Sequence, residues 1–220
     1  MPTPQEIFDA IAAGDLARMQ SLLDANPAAA ADRNAEGVSP LLFALYRGKS
    51  DVETELLRRN APMDIWEAAA AGEASIVASE IEKNPDAVHQ RSPDGWLPLH
   101  LACFFGHPEA ALLIVTHGAD IDAVSGGFRV MPLQSALANS HEDIARMLIE
   151  HGASVEASPE GSDWSPLHYC AANDLPEIAA LLLERGANPN SRIASGETPL
   201  QMADKAGNTS VTEILLRHQK

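Results

Sequence analysis

The stretch LPLHLACFFGHPEAALLIVTHGAD, Leu97 to Asp120, contains the clearest structural pattern of this 220-residue chain. Pro98 stands before an apolar run, and proline suits the first turn of a helix because its missing N–H would have no partner there. Gly106 and a proline two residues later interrupt the run, and a second apolar segment ends at Gly118. The stretch therefore predicts two short helices and a loop, with an apolar face that only a neighbouring unit can cover.

The same pattern recurs along the chain. Proline–leucine pairs begin five segments, at Pro40, Pro98, Pro132, Pro166 and Pro199. The last three intervals are 34, 34 and 33 residues, a constant period that is typical of stacked repeats. Two further segments, which begin at Ile7 and Ile65, match each other at an offset of 58 residues but lack the proline. We therefore predict helix pairs at about 4–26, 39–60, 64–84, 97–118, 131–152, 165–186 and 198–219.

These motifs resemble the ankyrin repeat, in which Gly-x-Thr-Pro-Leu-His is followed by Leu-Leu-x-x-Gly-Ala. Pro-Leu-His is complete at His100 and His168, while Gln134 and Gln201 replace the histidine. The resemblance implies an all-α ankyrin-repeat solenoid of about seven helix-turn-helix units with short hairpin loops, in a single domain over residues 1–220. It also implies that the motif histidines link neighbouring units by hydrogen bonds.

The third unit, at about 64–84, departs from this pattern because no hairpin motif precedes its first helix. We expect this unit to bend the stack or to leave a gap in the row of loops. We also expect it to form the weakest interface between neighbouring units, since each repeat is stabilised mainly by its neighbours.

The charge of the chain limits its partners. It has 31 acidic and 15 basic residues and a net charge of −16, which repels phosphate backbones and anionic membrane surfaces. Nucleic acid and membranes are therefore not expected partners, and no apolar run approaches the ~20 residues of a membrane helix. The first residues do not resemble a secretory leader, and two cysteines are too few for a disulfide framework. A cytoplasmic location is expected.

One cluster of residues invites a metal interpretation. His100, Cys103 and His107 follow the i, i+3, i+7 spacing, which would place them on one face of a continuous helix. Gly106 and Pro108 break the helix at this point, so we favour structural roles and expect no metal and no cofactor. No phosphate-binding loop and no acid/base pair can be nominated, and no catalytic residue is predicted.

The aromatic residues indicate a binding face. Ankyrin repeat proteins commonly hold their targets with the hairpin tips and with the exposed ends of the first helices, so the resemblance assigns these positions to binding. The chain is only 5% aromatic, yet it places rings at these positions, where Trp and Tyr are typical hot spots. The predicted partner-binding residues are Tyr46, Arg47, Trp96, Phe104, Phe105, Phe128, Val130, Asn139, Trp164, Asn173 and Glu197. Of these, Phe105, Trp96 and Trp164 are expected to belong mainly to a partner rather than to the core.

The leading hypothesis is a non-enzymatic protein–protein interaction module that is monomeric when unbound and holds a partner protein on its concave face. A rigid stack orders the contact residues in advance, so little entropy is lost on binding. Two alternatives stay open. One is a self-associating structural protein, and the other is a hydrolase or metal-dependent enzyme with a site in the irregular region 63–93. A dimer in solution would favour the first alternative, and a deep polar pocket the second.

Overall fold

The computed structural model describes residues 4–125, 129–158 and 163–218, so Phe128 of the predicted binding set lies outside the described residues. Within these ranges the chain forms fourteen α-helices, two short 3₁₀ helices at Pro27–Ala31 and Pro85–His89, and no strand. The prediction of an all-α fold is therefore confirmed. The helices are α1 (Pro4–Ala13), α2 (Leu16–Ala25), α3 (Pro40–Tyr46), α4 (Ser50–Arg58), α5 (Ile65–Ala71), α6 (Ala74–Lys83), α7 (Pro98–Phe105), α8 (Pro108–Thr116), α9 (Pro132–Ala138), α10 (Glu142–Glu150), α11 (Pro166–Asn173), α12 (Pro176–Glu184), α13 (Pro199–Ala206) and α14 (Thr209–Arg217).

The helices pack in two rows. Taken in chain order they form successive pairs, which we number as units one to seven, and α1 with α2 is unit one. Each first helix contacts the first helix of the next unit, from α1 to α13, and most second helices contact one another in the same way. In the first helices of units two to seven, the fifth position holds a small, fully buried side chain, which lets neighbouring helices approach closely; these residues are Ala44, Ala69, Ala102, Ala136, Cys170 and Ala203. None of the described helices is both long and apolar enough to cross a membrane.

The residue at the histidine position of the motif links each unit to the loop of the next. Nε2 of His100 bonds to the carbonyl of Val130 at 2.9 Å, and Nε2 of His168 lies 3.4 Å from the carbonyl of Glu197. The amide of Gln134 donates to the carbonyl of Trp164 at 3.3 Å, so glutamine replaces histidine in the same role. These bonds are the links between units that the resemblance implied.

Unit three reverses this link. Glu67 occupies the motif-histidine position of α5 and is fully buried, but an ionised carboxylate has no proton to donate to the following loop. It accepts instead from Arg33 in the preceding loop, and Arg33 also donates to Asp64 at 3.1 Å. Asp64 is the N-cap of α5 and forms a reciprocal capping box with Glu67. A buried ion pair therefore replaces the neutral hydrogen bond of the other units.

The row of loops is bridged across unit three, where the sequence predicted a gap or a bend. The loop before α3 contains Gly37, and a Cβ added there would lie 2.6 Å from Cβ of Pro93 in the loop before α7. The hydroxyl of Tyr46 donates to Asp94 of that same loop at 2.8 Å. On the other row, α4 and α6 hardly touch. The loops on the two sides of unit three are therefore in contact with each other. The weakest packing of this unit is between the second helices α4 and α6.

His141, which lies between α9 and α10, makes a further link to the preceding unit and requires a glycine beside it. Nε2 of His141 bonds to the carbonyl of Phe104 at 3.1 Å, and its ring lies against Gly106. A Cβ on Gly106 would lie 2.5 Å from Cε1 of His141, and the backbone there has a φ of 84°. Glycine is therefore required at this position both by its conformation and by close packing.

We expect Gly106→Ala to lower the free energy of unfolding by about 2–3 kcal/mol, since a left-handed backbone costs an L-residue about 1–2 kcal/mol and the ring of His141 must also move. Gly118→Ala is the matched control. Gly118 has a φ of 87° with nothing within 4 Å of an added Cβ, so only the conformational cost applies. Urea denaturation measures both variants, and equal losses would contradict the packing argument.

Candidate functional site

A groove of about 510 Å³ lies on the face made by the loops and the first helices. Its walls are mainly aromatic and aliphatic, with a few polar groups, which is the usual composition of a ligand-binding cleft. It extends from unit two to unit six. The lining residues are Tyr46, Asp94, Trp96, Leu101, Phe104, Val130, Gln134, Ser135, Ala138, Asn139 and Tyr169.

Five of the predicted binding residues line this groove: Tyr46, Trp96, Phe104, Val130 and Asn139. Phe104 is 39% exposed, which is unusual for a phenylalanine. Its ring packs against that of Trp96 with the centroids 6.1 Å apart, so the two rings form a continuous apolar wall.

Phe105 differs from the prediction that it belongs mainly to a partner. It is half-buried, packs against the core and stacks on Tyr46, with ring centroids 6.0 Å apart and planes at 22°. It is absent from the groove lining, where its neighbour Phe104 is found. Successive residues of a helix point about 100° apart, so only one of the two phenylalanines can face the groove.

Two other predicted residues pack beside the groove without lining it. The guanidinium of Arg47 lies 4.5 Å from the centre of the Phe43 ring, on the side of unit one, where Phe43 packs edge-on against Phe8. The ring of Trp164 packs edge-on against Tyr169 at 5.1 Å, and Tyr169 does line the groove. Trp164 therefore packs against a groove residue without lining the groove itself.

The last two predicted residues have polar partners within the fold and are absent from the groove lining. The side-chain amide of Asn173 donates to the carbonyl of Leu137 at 2.9 Å, which links units five and six. Glu197 forms an ion pair with Lys205 at 3.2 Å. Both side chains therefore have structural contacts that are independent of any partner.

Three groove residues that share one position in their units are absent from the predicted binding set. Leu101, Ser135 and Tyr169 each stand three residues after the motif proline. Residues three or four apart lie on one face of a helix, so this position shares the face of Phe104, which stands six residues after its proline. The helical period was the signal that could have identified them.

The electrostatic character of the groove is set by Asp94. Its carboxylate accepts hydrogen bonds from the hydroxyls of Tyr46 at 2.8 Å and Ser92 at 2.6 Å. Burial, together with the neighbouring charge of Asp94, raises the pKa of Tyr46, so the phenol stays protonated. Among the lining residues of the described structure there is no lysine or arginine, and the charge of the groove wall is therefore negative.

One polar group of the groove wall is left without a partner. Ser135 is only 3% exposed, and its hydroxyl has no hydrogen-bond partner within the part of the chain that the structure describes. Its backbone carbonyl, in contrast, accepts from the side-chain amide of Asn139 at 2.9 Å. Buried polar groups in native proteins are nearly always hydrogen-bonded, so this hydroxyl is an exception, and its oxygen is itself closed off from the groove.

The residues considered for a metal site do not converge on one. Nε2 of His100 bonds to the carbonyl of Val130, and burial lowers the pKa of His100 to about 4. Nε2 of His107 bonds to the carbonyl of Ala70 at 2.9 Å, and burial raises the pKa of the Cys103 thiol. Across the described ranges, no three His, Cys, Asp or Glu side chains are grouped so that they could hold a metal ion.

The acidic pair of the irregular region is a second group of shifted side chains. Burial and then the neighbouring Glu67 raise the pKa of Asp64 to about 7. Burial alone would also raise the pKa of Glu67, but hydrogen bonds to Asp64 and Ser39 and the charge of Arg33 lower it. These hydrogen bonds and Arg33 together hold the buried carboxylate of Glu67 in its charged form, and both acids serve to begin α5.

Comparisons with known proteins agree with this description. The family model for ankyrin repeats matches three stretches, residues 7–125, 65–159 and 124–193. Protein phosphatase 1 regulatory subunit 27 of Mus musculus is 30% identical over 107 residues, which cover 43% of this chain and 69% of the mouse protein. The Homo sapiens protein of the same name is 39% identical over 61 residues, 28% of this chain and 39% of the human protein. Since the repeat matches extend over most of its length, this chain belongs to the ankyrin repeat family.

Proposed function

We propose that this protein is a non-enzymatic interaction module that holds a partner protein in the groove between its loops and first helices. The observation that carries the proposal is the exposed ring of Phe104 beside Trp96 on the wall of that groove. Exposed apolar patches of soluble proteins commonly mark interaction sites, and aromatic anchors supply much of the binding energy there.

The groove is built for rigid presentation of its contact residues. The loop before α7 is held to α3 by the Tyr46–Asp94 hydrogen bond. Arg91 donates to the carbonyl of Gly95 within this loop at 3.0 Å and to that of Val124 in the next loop at 2.8 Å. Contacts fixed before binding lose little entropy when a partner arrives, so even a modest groove can bind specifically.

The relatives support the same class of function. Both are named as regulatory subunits of protein phosphatase 1. A regulatory subunit acts through another protein. The catalytic subunit of a protein phosphatase is therefore the first candidate partner to test against this chain.

The test places an arginine in the groove. Ala138 is the exposed last residue of α9 and lines the groove, so Ala138→Arg fills the site without disturbing the core. We expect affinity for a partner purified from the native cells to fall at least about tenfold, the size of one hot-spot contact. Ala206→Arg is the matched control, because Ala206 is the exposed last residue of α13 outside the groove. Equal affinity of the two variants would contradict the proposal.

The same variants separate the self-associating alternative. We expect the wild-type chain to sediment as a monomer, since two copies of net charge −16 repel each other. A dimer that Ala138→Arg dissociates and Ala206→Arg does not would show that the groove meets another copy instead of a partner protein.

A further inference from the structure

We propose that the groove captures one large apolar side chain from a basic segment of the partner. The inference rests on the proposed function, because it describes the occupant of the same groove. It follows from two properties of the groove wall, its shape and its charge.

The shape fits an inserted side chain. The volume of about 510 Å³ is within the range of clefts that enclose a compact ligand, whereas a flat interface would need no cavity. Trp96, Leu101, Phe104 and Tyr169 present apolar surface to this space. An aromatic or long aliphatic side chain gains the most from such walls, since it leaves water completely and packs against rings.

The charge fits a basic segment. Asp94 carries the charge of the groove wall, Tyr46 beside it stays neutral, and the nearby Arg47 is stacked on Phe43 toward unit one. A lysine or arginine next to the inserted side chain would pair with Asp94 and could also lie over the rings of the wall. The net charge of −16 opposes an acidic ligand and a second copy of this chain.

The probe is a library of random 12-residue peptides displayed on phage and selected on the full chain, with the Ala138→Arg variant used for counter-selection. We expect the enriched peptides to place Trp, Phe or Leu within three residues of Lys or Arg. For the best synthetic peptide, Asp94→Asn should weaken binding about five- to tenfold and flatten its salt dependence, as the loss of one charge pair does. Asparagine keeps the acceptor for Tyr46, so the fold is retained.

Leu112→Ala is the control variant, because it truncates an exposed side chain of α8 outside the groove and should leave the affinity for the peptide unchanged.

The outcomes separate this inference from the proposed function. Peptides that need an open groove but lack basic residues, or that bind Asp94→Asn normally, overturn the inference and leave the proposed function standing. If the counter-selection leaves no peptide that binds the wild type better than Ala138→Arg, both are overturned. A dimer that only a groove variant dissociates identifies a second copy as the occupant and also overturns the inference.

Discussion

Replacing Arg33 with glutamine should lower the free energy of unfolding by about 3 kcal/mol at pH 8, the low end of the range for breaking a buried ion pair. The reason is the fully buried carboxylate of Glu67, which would keep its desolvation cost and lose its cation. The loss lies at the low end because the side chain of Arg33 is 39% exposed, and water can partly replace it. Urea denaturation measures the difference.

The loss should depend on pH in a defined direction. Arg33 is one of the groups that lower the pKa of Glu67 in the folded state, so its loss raises that pKa relative to the wild type. The folded variant then binds the proton more tightly than the folded wild type does, so its deficit is smallest at low pH, where Glu67 is protonated in both proteins, and grows as the pH rises. A deficit that is larger at pH 4 than at pH 8 would contradict this account.

Two further variants provide the controls. Lys83→Gln breaks an exposed ion pair with Glu80, in which the lysine side chain is 66% exposed, and should cost less than about 1 kcal/mol. Adding Glu67→Gln to Arg33→Gln should restore most of the lost stability, because Gln134 already occupies the equivalent position in α9 and bonds to the next loop. A double variant no more stable than Arg33→Gln alone would show that Arg33 acts by some other contact.

The two adjacent phenylalanines of α7 should have opposite effects when each is truncated to alanine. Phe105→Ala should lower the free energy of unfolding by about 3 kcal/mol, the low end for a buried phenylalanine, because its ring packs on the core and on Tyr46. Phe104→Ala should cost less than about 1 kcal/mol of stability but weaken partner binding by about 2 kcal/mol or more, as a hot spot does.

Each variant is the control for the other, since both remove the same atoms from neighbouring positions of one helix. Urea denaturation gives the stability of each, and titration with the selected peptide or the purified partner gives its affinity. If Phe105→Ala loses the affinity and Phe104→Ala loses the stability, the assignment of the two faces is reversed. If both lose stability alone, the groove is not the binding face.

Several features of the protein follow from local sequence. The proline–leucine pairs and their period predict two short helices per unit, because proline begins a helix and the apolar face of each unit needs a neighbour. The small buried residues of the first helices and the linking role of His100 follow from the same repeat. Tyr46, Trp96, Phe104, Val130 and Asn139 could be placed at the groove because each occupies a repeated position that the family presents to partners.

The remaining features depend on residues that lie far apart in the sequence. Arg33 meets Glu67 across 34 residues and Tyr46 meets Asp94 across 48, and an acidic chain offers too many possible pairs for such partners to be chosen in advance. The rotation of α7 against α5 and α9 decides that Phe104, and not Phe105, faces the groove. The repeat alone is therefore enough to predict that the chain stacks helix pairs and which surface they present. The side chains that close the gap at unit three, and those that remain exposed, follow from packing between units and not from preferences within one unit.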